Sequence, residues 1–118
     1  MFGFKRQTAP ALPLSDAVSR VAAGEILLLD VRDHAEVAQT GKAKGAVHIP
    51  LMRLPTMADP LHPDFDKRLT GDKPIAIYCA SGARSGMAMN ILQKLGYAET
   101  HNLGGLRDWM SAGGQVQR

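Results

Sequence analysis

The sequence contains one cysteine, Cys79, so no disulfide can form within the chain. Chains without disulfides are typical of reducing compartments, and we therefore expect a cytoplasmic protein. No apolar run approaches the roughly 20 residues of a membrane span. The opening residues also lack the long apolar stretch and cleavage site of a secretory signal. We expect no membrane partner.

The sequence also has only a small excess of positive over negative residues. Lys and Arg outnumber Asp and Glu by 14 to 11, a formal net charge of +3, and the basic residues form no dense run. Because a nucleic-acid footprint needs clustered positive charge, we expect no nucleic-acid partner. His34, His62 and His101 share no metal-ligand spacing with one another or with Cys79. We expect no metal and no other cofactor.

The composition is that of an ordinary globular protein, with 45% hydrophobic and 21% charged residues. A chain of 118 residues has the size of one compact domain. We therefore expect a single domain over residues 1–118, with a core at about 11–113 between short flexible ends.

Two short apolar runs predict strands: residues 26–29, which end at Asp30, and residues 75–78, which end at Cys79. Their apolarity is continuous rather than alternating, as in strands that helices cover on both faces of a parallel sheet. Weaker strand candidates are residues 47–49, residues 100–103 and a short piece near Ala11. The pattern favours a central, mainly parallel sheet of five strands.

Helical patterns separate these strands. Asp33 followed by Glu36 predicts a helix that begins with a capping box. The clearest helix follows the second apolar run and ends at Gly96, and its inward residues recur at helical spacing. These residues are Ala88, Ile91, Leu92 and Leu95. A last helix over residues 106–112 places Trp109 in the core. Strands that alternate with helices predict an α/β domain flanked by helices.

Cys79 lies where a strand ends and a loop of small residues leads into the clearest helix. In such a loop several backbone N–H groups can converge on one point, and the helix dipole adds positive charge. These surroundings lower a cysteine pKa, and the fork of donors on Arg84 suits an oxyanion. We therefore expect a reactive, accessible sulfur rather than a structural thiol.

Four segments resemble, in order along the chain, the motifs of single-domain rhodaneses. Residues 78–85, Tyr-Cys-Ala-Ser-Gly-Ala-Arg-Ser, are similar to the active-site loop of that family. The other three are Leu29-Asp30-Val31-Arg32 with Glu36, Gly45-Ala46-Val47-His48-Ile49-Pro50, and Leu103-Gly104-Gly105-Leu106 with Trp109. One departure is Gly-Lys-Ala at residues 41–43, where the family commonly has Gly-His-Ile.

The resemblance implies a rhodanese-like fold and a sulfurtransferase that works without a cofactor. It implies that the Cys79 thiolate attacks the outer sulfur of a small anionic donor such as thiosulfate and then holds a persulfide. A thiol or a protein acceptor would remove that sulfur. The loop residues expected to bind substrate are Ala80, Ser81, Gly82, Ala83, Arg84 and Ser85.

Four further polar residues have mainly structural interpretations. Asp30 and Arg32 either orient the active-site loop or form an ion pair that stabilises the fold. Glu36 is interpreted as a capping residue rather than a general acid, because Asp33 supplies the other half of the capping box. His48 falls where many family members have asparagine, and we expect a structural role for it.

Two alternative functions remain. Cysteine phosphatases and arsenate reductases also hold an oxyanion in a loop closed by an arginine. Their loop, however, places one more residue between the two than the four that separate Cys79 from Arg84. The other alternative is a non-catalytic regulatory or sulfur-carrier module. Such modules often lack the cysteine that is present here, so the enzymatic interpretation leads.

Overall fold

The structure is a computed structural model that describes residues 12–118, so the strand candidate near Ala11 lies outside the described residues. The helices are α1 (Leu14–Ala22), α2 (His34–Thr40), α3 (Leu54–Met57), α4 (Ala83–Lys94) and α5 (Leu106–Ser111). The strands are β1 (Leu27–Asp30), β2 (Lys42–Ala43), β3 (Val47–His48), β4 (Ile75–Cys79), β5 (Thr100–Gly105) and β6 (Val116–Gln117). A 3-10 turn, Leu51–Arg53, precedes α3.

The central sheet has the strand order β3-β1-β4-β5 within the described residues, and all of its strand pairs are parallel. The predicted α/β architecture, a parallel sheet flanked by helices, is confirmed. Four of the five expected strands lie in this sheet. A separate antiparallel pair joins β2 to β6. The sequence analysis did not predict this pair, because two residues per strand are too few to show a pattern.

The sheet separates two apolar cores. Leu29, Ile75 and Ile77 point into one core, where Ala88 and Leu92 of α4 pack against them. The alternate residues Leu28, Ala76 and Tyr78 point into the other core, where Ala17, Leu106 and Trp109 meet them. Successive residues of a strand face opposite sides of a sheet, so both faces of β1 and β4 are buried. This double burial explains why the two predicted strands are apolar without alternation.

The parallel arrangement brings the carboxyl ends of β1, β4 and β5 to one edge of the sheet. Asp30 pairs with Tyr78 across β1 and β4, and Cys79 pairs with Gly105 across β4 and β5. The register of the second pair shifts between Ile77 and Tyr78. The shift places two successive glycines beside the end of β4. None of the helices in residues 12–118 combines the length and the apolar character that a membrane span requires.

Candidate active site

Cys79 is the last residue of β4, and the chain turns directly from it into α4. The turn passes through Gly82, whose φ of 106° lies in the left-handed region that glycine adopts without strain. Three of the predicted site residues, Ala80, Ser81 and Ala83, are exposed. Gly82 and Arg84 are partly exposed, whereas Ser85 and Cys79 are buried.

Hydrogen-bond donors converge on Cys79 Sγ. The backbone N–H of Gly82 donates to it at 3.0 Å and the backbone N–H of Ser85 at 3.4 Å. The hydroxyl oxygen of Ser85 also lies 3.4 Å from the sulfur. This is the convergence that the loop sequence predicted. The expectation of an accessible sulfur is wrong for the side chain as a whole, because Cys79 is only 1% exposed.

The surroundings act on the Cys79 pKa in opposite directions. Burial raises it, because the thiolate loses contact with water. Hydrogen bonds from the Ser85 hydroxyl and from the backbone N–H groups of Ser85, Gly82 and Ser81 favour the thiolate and outweigh burial. They lower the pKa to about 7. A large share of the sulfur is therefore a nucleophilic thiolate at neutral pH.

A side-chain amide supports the loop from β5. Asn102 Nδ2 donates to the Gly82 carbonyl oxygen at 2.9 Å, and Asn102 Oδ1 accepts from the Gly104 N–H at 2.9 Å. The Ser85 hydroxyl donates to the same Oδ1 at 2.6 Å. Because this hydroxyl has one proton, it must turn from Asn102 to donate to a thiolate. Asn102 is a site residue that the sequence analysis missed.

Arg84 lies in the first turn of α4 and is paired with Glu36 of α2. Its Nη1 donates to Glu36 Oε1 at 2.6 Å and its Nη2 to Glu36 Oε2 at 2.8 Å. The expected capping box is confirmed, since Asp33 and Glu36 exchange backbone and side-chain hydrogen bonds. Glu36 therefore has a second role that the capping pattern did not reveal.

Asp30 and Arg32 form a buried ion pair beneath the loop. Arg32 Nη2 lies 2.7 Å from Asp30 Oδ2, and the two side chains are 3% and 0% exposed. The Tyr78 hydroxyl donates to Asp30 at 2.5 Å and accepts from the Ala43 N–H at 2.8 Å. Burial raises the Tyr78 pKa above its ordinary value. The network fixes Tyr78, the residue before Cys79. Removal of Asp30 or of Arg32 would leave the buried charge of the other unpaired.

His48 contacts the backbone near Arg32. His48 Nε2 lies 2.6 Å from the Arg32 carbonyl oxygen, which is consistent with the expected structural role. Within residues 12–118, no three His, Cys, Asp or Glu side chains form a group that could hold a metal ion.

A model of the rhodanese-like domain matches residues 14–112. The chain belongs to the rhodanese-like family. An Allochromatium vinosum sulfurtransferase is 36% identical over 90 residues, which are 75% of this chain and 76% of the relative. The human thiosulfate:glutathione sulfurtransferase is 29% identical over 109 residues, with 86% of this chain and 94% of the relative covered.

Some relatives of this rhodanese-like chain are longer, and the match spans 59% and 63% of two of them. Among solved structures, a Rhodopseudomonas palustris protein of unknown function, described as a possible tyrosine phosphatase, superposes with a TM-score of 0.80 at 30% identity. That likeness covers 91% of this chain and 83% of the other. Because the function of that protein is unknown, the likeness shows a shared fold and no particular chemistry.

We expect Ser85→Ala to raise the pKa of Cys79 above about 7, because the variant lacks the hydroxyl that stabilises the thiolate. Alkylation by iodoacetamide measured as a function of pH reports this pKa, and the rate at pH 7 should fall about threefold or more. Ser81→Ala is the matched control, since Ser81 contributes a backbone N–H that the substitution retains. An unchanged pH profile in Ser85→Ala would show that the backbone donors alone set the pKa.

Proposed function

We propose that this rhodanese-like protein is a sulfurtransferase that carries sulfane sulfur as a persulfide on Cys79. The observation that carries the proposal is the convergence of the Gly82 and Ser85 N–H groups on Cys79 Sγ, with a pKa of about 7. The same donors can hold the negative charge of the persulfide, since residues 80–83 add no charged side chain that would oppose it.

In the first half-reaction, the Cys79 thiolate attacks the outer sulfur of thiosulfate. A sulfur–sulfur bond to Cys79 forms, the bond between the two thiosulfate sulfurs breaks, and sulfite leaves with the electron pair of that bond. In the second half-reaction, a thiol attacks the outer sulfur of the persulfide. The products are a thiol persulfide and the regenerated Cys79 thiolate, so charge and atoms balance in both steps.

A depression of about 420 Å³ lies beside the loop, against Ser81, Gly82 and Asn102, and is also lined by Leu14. Cys79 is not among the residues that line it, so an acceptor bound there would contact the loop rather than the sulfur itself. We propose a low-molecular-weight thiol as the acceptor, in line with the human relative that acts on thiosulfate and glutathione. In this scheme residues 80–85 form the substrate-binding loop, Cys79 is the nucleophile, and Asp30 and Arg32 support the loop through Tyr78.

Phosphatase chemistry has less support. A cysteine phosphatase needs the arginine fork on the phosphate, whereas both terminal nitrogens of Arg84 are bound to Glu36. The loop donors are also aimed at the sulfur atom itself, at 3.0 and 3.4 Å.

Intact mass spectrometry tests the proposal. After treatment with thiosulfate, the protein should gain one sulfur atom and release one equivalent of sulfite. Addition of glutathione should then remove that sulfur and yield glutathione persulfide. Steady-state kinetics should be ping-pong, because the two substrates bind in separate half-reactions. A protein that gains no sulfur, or that hydrolyses p-nitrophenyl phosphate through Cys79, would contradict the proposal.

A further inference from the structure

Arg84 and Glu36 form an ion pair at the surface beside the cysteine loop, and we call this place the mouth of the loop. The two terminal nitrogens of Arg84 face the two carboxylate oxygens of Glu36, at 2.6 and 2.8 Å. The side chains are 33% and 30% exposed, so a solute that approaches the loop meets them at the protein surface. The bidentate geometry uses the edge of the guanidinium that would otherwise receive an anionic donor.

The capping box orients the Glu36 side chain independently of Arg84. Glu36 Oε1 accepts from the Asp33 N–H at 3.0 Å, and the Glu36 N–H donates to Asp33 Oδ1 at 2.8 Å. Hydrogen bonding to Arg84 lowers the pKa of Glu36 to about 2, so the carboxylate is charged at neutral pH. The pair is a fixed feature of the junction between α2 and α4.

Arg84 lies close enough to Cys79 for the charge of the thiolate to affect the pKa of Arg84. Hydrogen bonding to Glu36 is the main cause of the raised pKa of Arg84, and the charges of Glu36 and of the Cys79 thiolate add to it. Within residues 79–85 Arg84 is the only charged residue of the sequence. Arg32, the cation of the network at Tyr78, is bound to Asp30 in the interior. Glu36 therefore cancels the positive charge that the loop itself supplies.

We propose that Glu36 is a specificity-determining residue that neutralises Arg84 and so biases Cys79 towards sulfur donors of low negative charge, such as organic polysulfides, over dianions such as thiosulfate. The inference rests on the proposed function for its choice of substrates. The inference depends on the net charge that Arg84 and Glu36 present to an approaching reagent. That charge can be measured without any sulfur transfer.

The test uses Glu36→Gln in the full chain. Glutamine keeps an oxygen that can accept from the Asp33 N–H, so the capping box survives while the charge is lost. The first measurement is the ratio of Cys79 alkylation rates with iodoacetate, an anion, and iodoacetamide, its neutral analogue. This ratio cancels any change in the thiolate fraction. We expect it to rise about threefold or more at low ionic strength and to fall back as salt screens the mouth.

The second measurement is turnover. In Glu36→Gln, kcat/KM for thiosulfate should rise about threefold or more through a lower KM, while that for dimethyl trisulfide, a neutral donor, should stay within about twofold. With dimethyl trisulfide the Cys79 thiolate attacks the central sulfur and expels methanethiolate. The methanethiolate then attacks the methyl-bearing sulfur of the mixed trisulfide, which gives dimethyl disulfide and the Cys79 persulfide. Glu25→Gln is the matched control: it changes the net charge equally, and Glu25 pairs with Arg20 on the exposed surface. In Arg84→Ala the Glu36 carboxylate is no longer compensated, so the alkylation ratio should fall below that of the wild type, and Glu36→Gln in that background should restore it.

An alkylation ratio in Glu36→Gln equal to that of the wild type and of Glu25→Gln would overturn the proposal, as would an unchanged ratio in Arg84→Ala. A raised ratio with no persulfide on Cys79 from either donor would leave the charge selectivity standing and reject the sulfurtransferase function. A raised ratio with equal gains for both donors would reject the selectivity for donors. Thermal unfolding of each variant verifies that the fold is retained.

Discussion

Replacement of Cys79 by serine should abolish the gain of one sulfur atom on treatment with thiosulfate. The chain has no other thiol, and an alcohol cannot form a persulfide under these conditions. Serine is slightly smaller than cysteine, and its oxygen can accept the N–H donors of Gly82 and Ser85 that now contact the sulfur. The variant should therefore keep the fold, and the loss should be close to complete.

Intact mass spectrometry of the wild type and the variant, treated side by side, measures this outcome, and circular dichroism verifies the fold. Sulfite release should fall to the rate without protein. A Cys79→Ser variant that still retains sulfur would show that the sulfur is bound non-covalently or elsewhere, and the persulfide mechanism would be wrong.

The cysteine loop could be predicted from the sequence because its determinants are local. An apolar strand that ends in cysteine, followed by small residues and a helix, specifies where the backbone N–H groups point. The capping box of Asp33 and Glu36 is local in the same way, since its partners are three residues apart. Both features are present in the structure as the pattern predicted them.

The long-range partners of these residues could not be predicted in the same way. Glu36 and Arg84 are 48 positions apart, and Ser85 and Asn102 are 17 apart. Only the order and register of β1, β4 and β5 bring them together. The pairing with Glu36 changes the interpretation of Arg84 most, because the sequence alone assigned its guanidinium to the oxyanion of the substrate. The buried contact from Tyr78 to Asp30 is similarly invisible in either segment alone.

The contact between β5 and the start of the cysteine loop leaves no room for a side chain at Gly105. Gly105 pairs with Cys79 in the register of β4 and β5, and its φ of −114° is one that any residue adopts. Steric contact alone therefore requires glycine there. A Cβ at position 105 would lie 2.9 Å from the Ala80 carbonyl carbon and closer still to the carbonyl oxygen. These are backbone atoms at the start of the cysteine loop, so the loop itself must move.

Gly105→Ala should therefore lower kcat/KM for thiosulfate about tenfold or more, because small displacements of catalytic groups cost large factors in rate. The Cys79 pKa should rise above about 7, since Gly82 and Ser85 would no longer donate to the sulfur together. Initial rates and the pH profile of iodoacetamide alkylation measure the two effects, and both should change in the same variant.

Gly86→Ala is the matched control for Gly105→Ala. Gly86 lies within α4, and a Cβ there would meet Asn102 Nδ2 at 3.6 Å, an ordinary van der Waals distance. Alanine in place of a helical glycine should stabilise the protein by roughly 0.5–1 kcal/mol and leave the Cys79 pKa unchanged. If Gly105→Ala behaves like this control, with the rate and pKa of the wild type, the contact between β5 and Ala80 does not position the loop. The donors at Cys79 Sγ would then be held by the turn at Gly82 and by Asn102 alone.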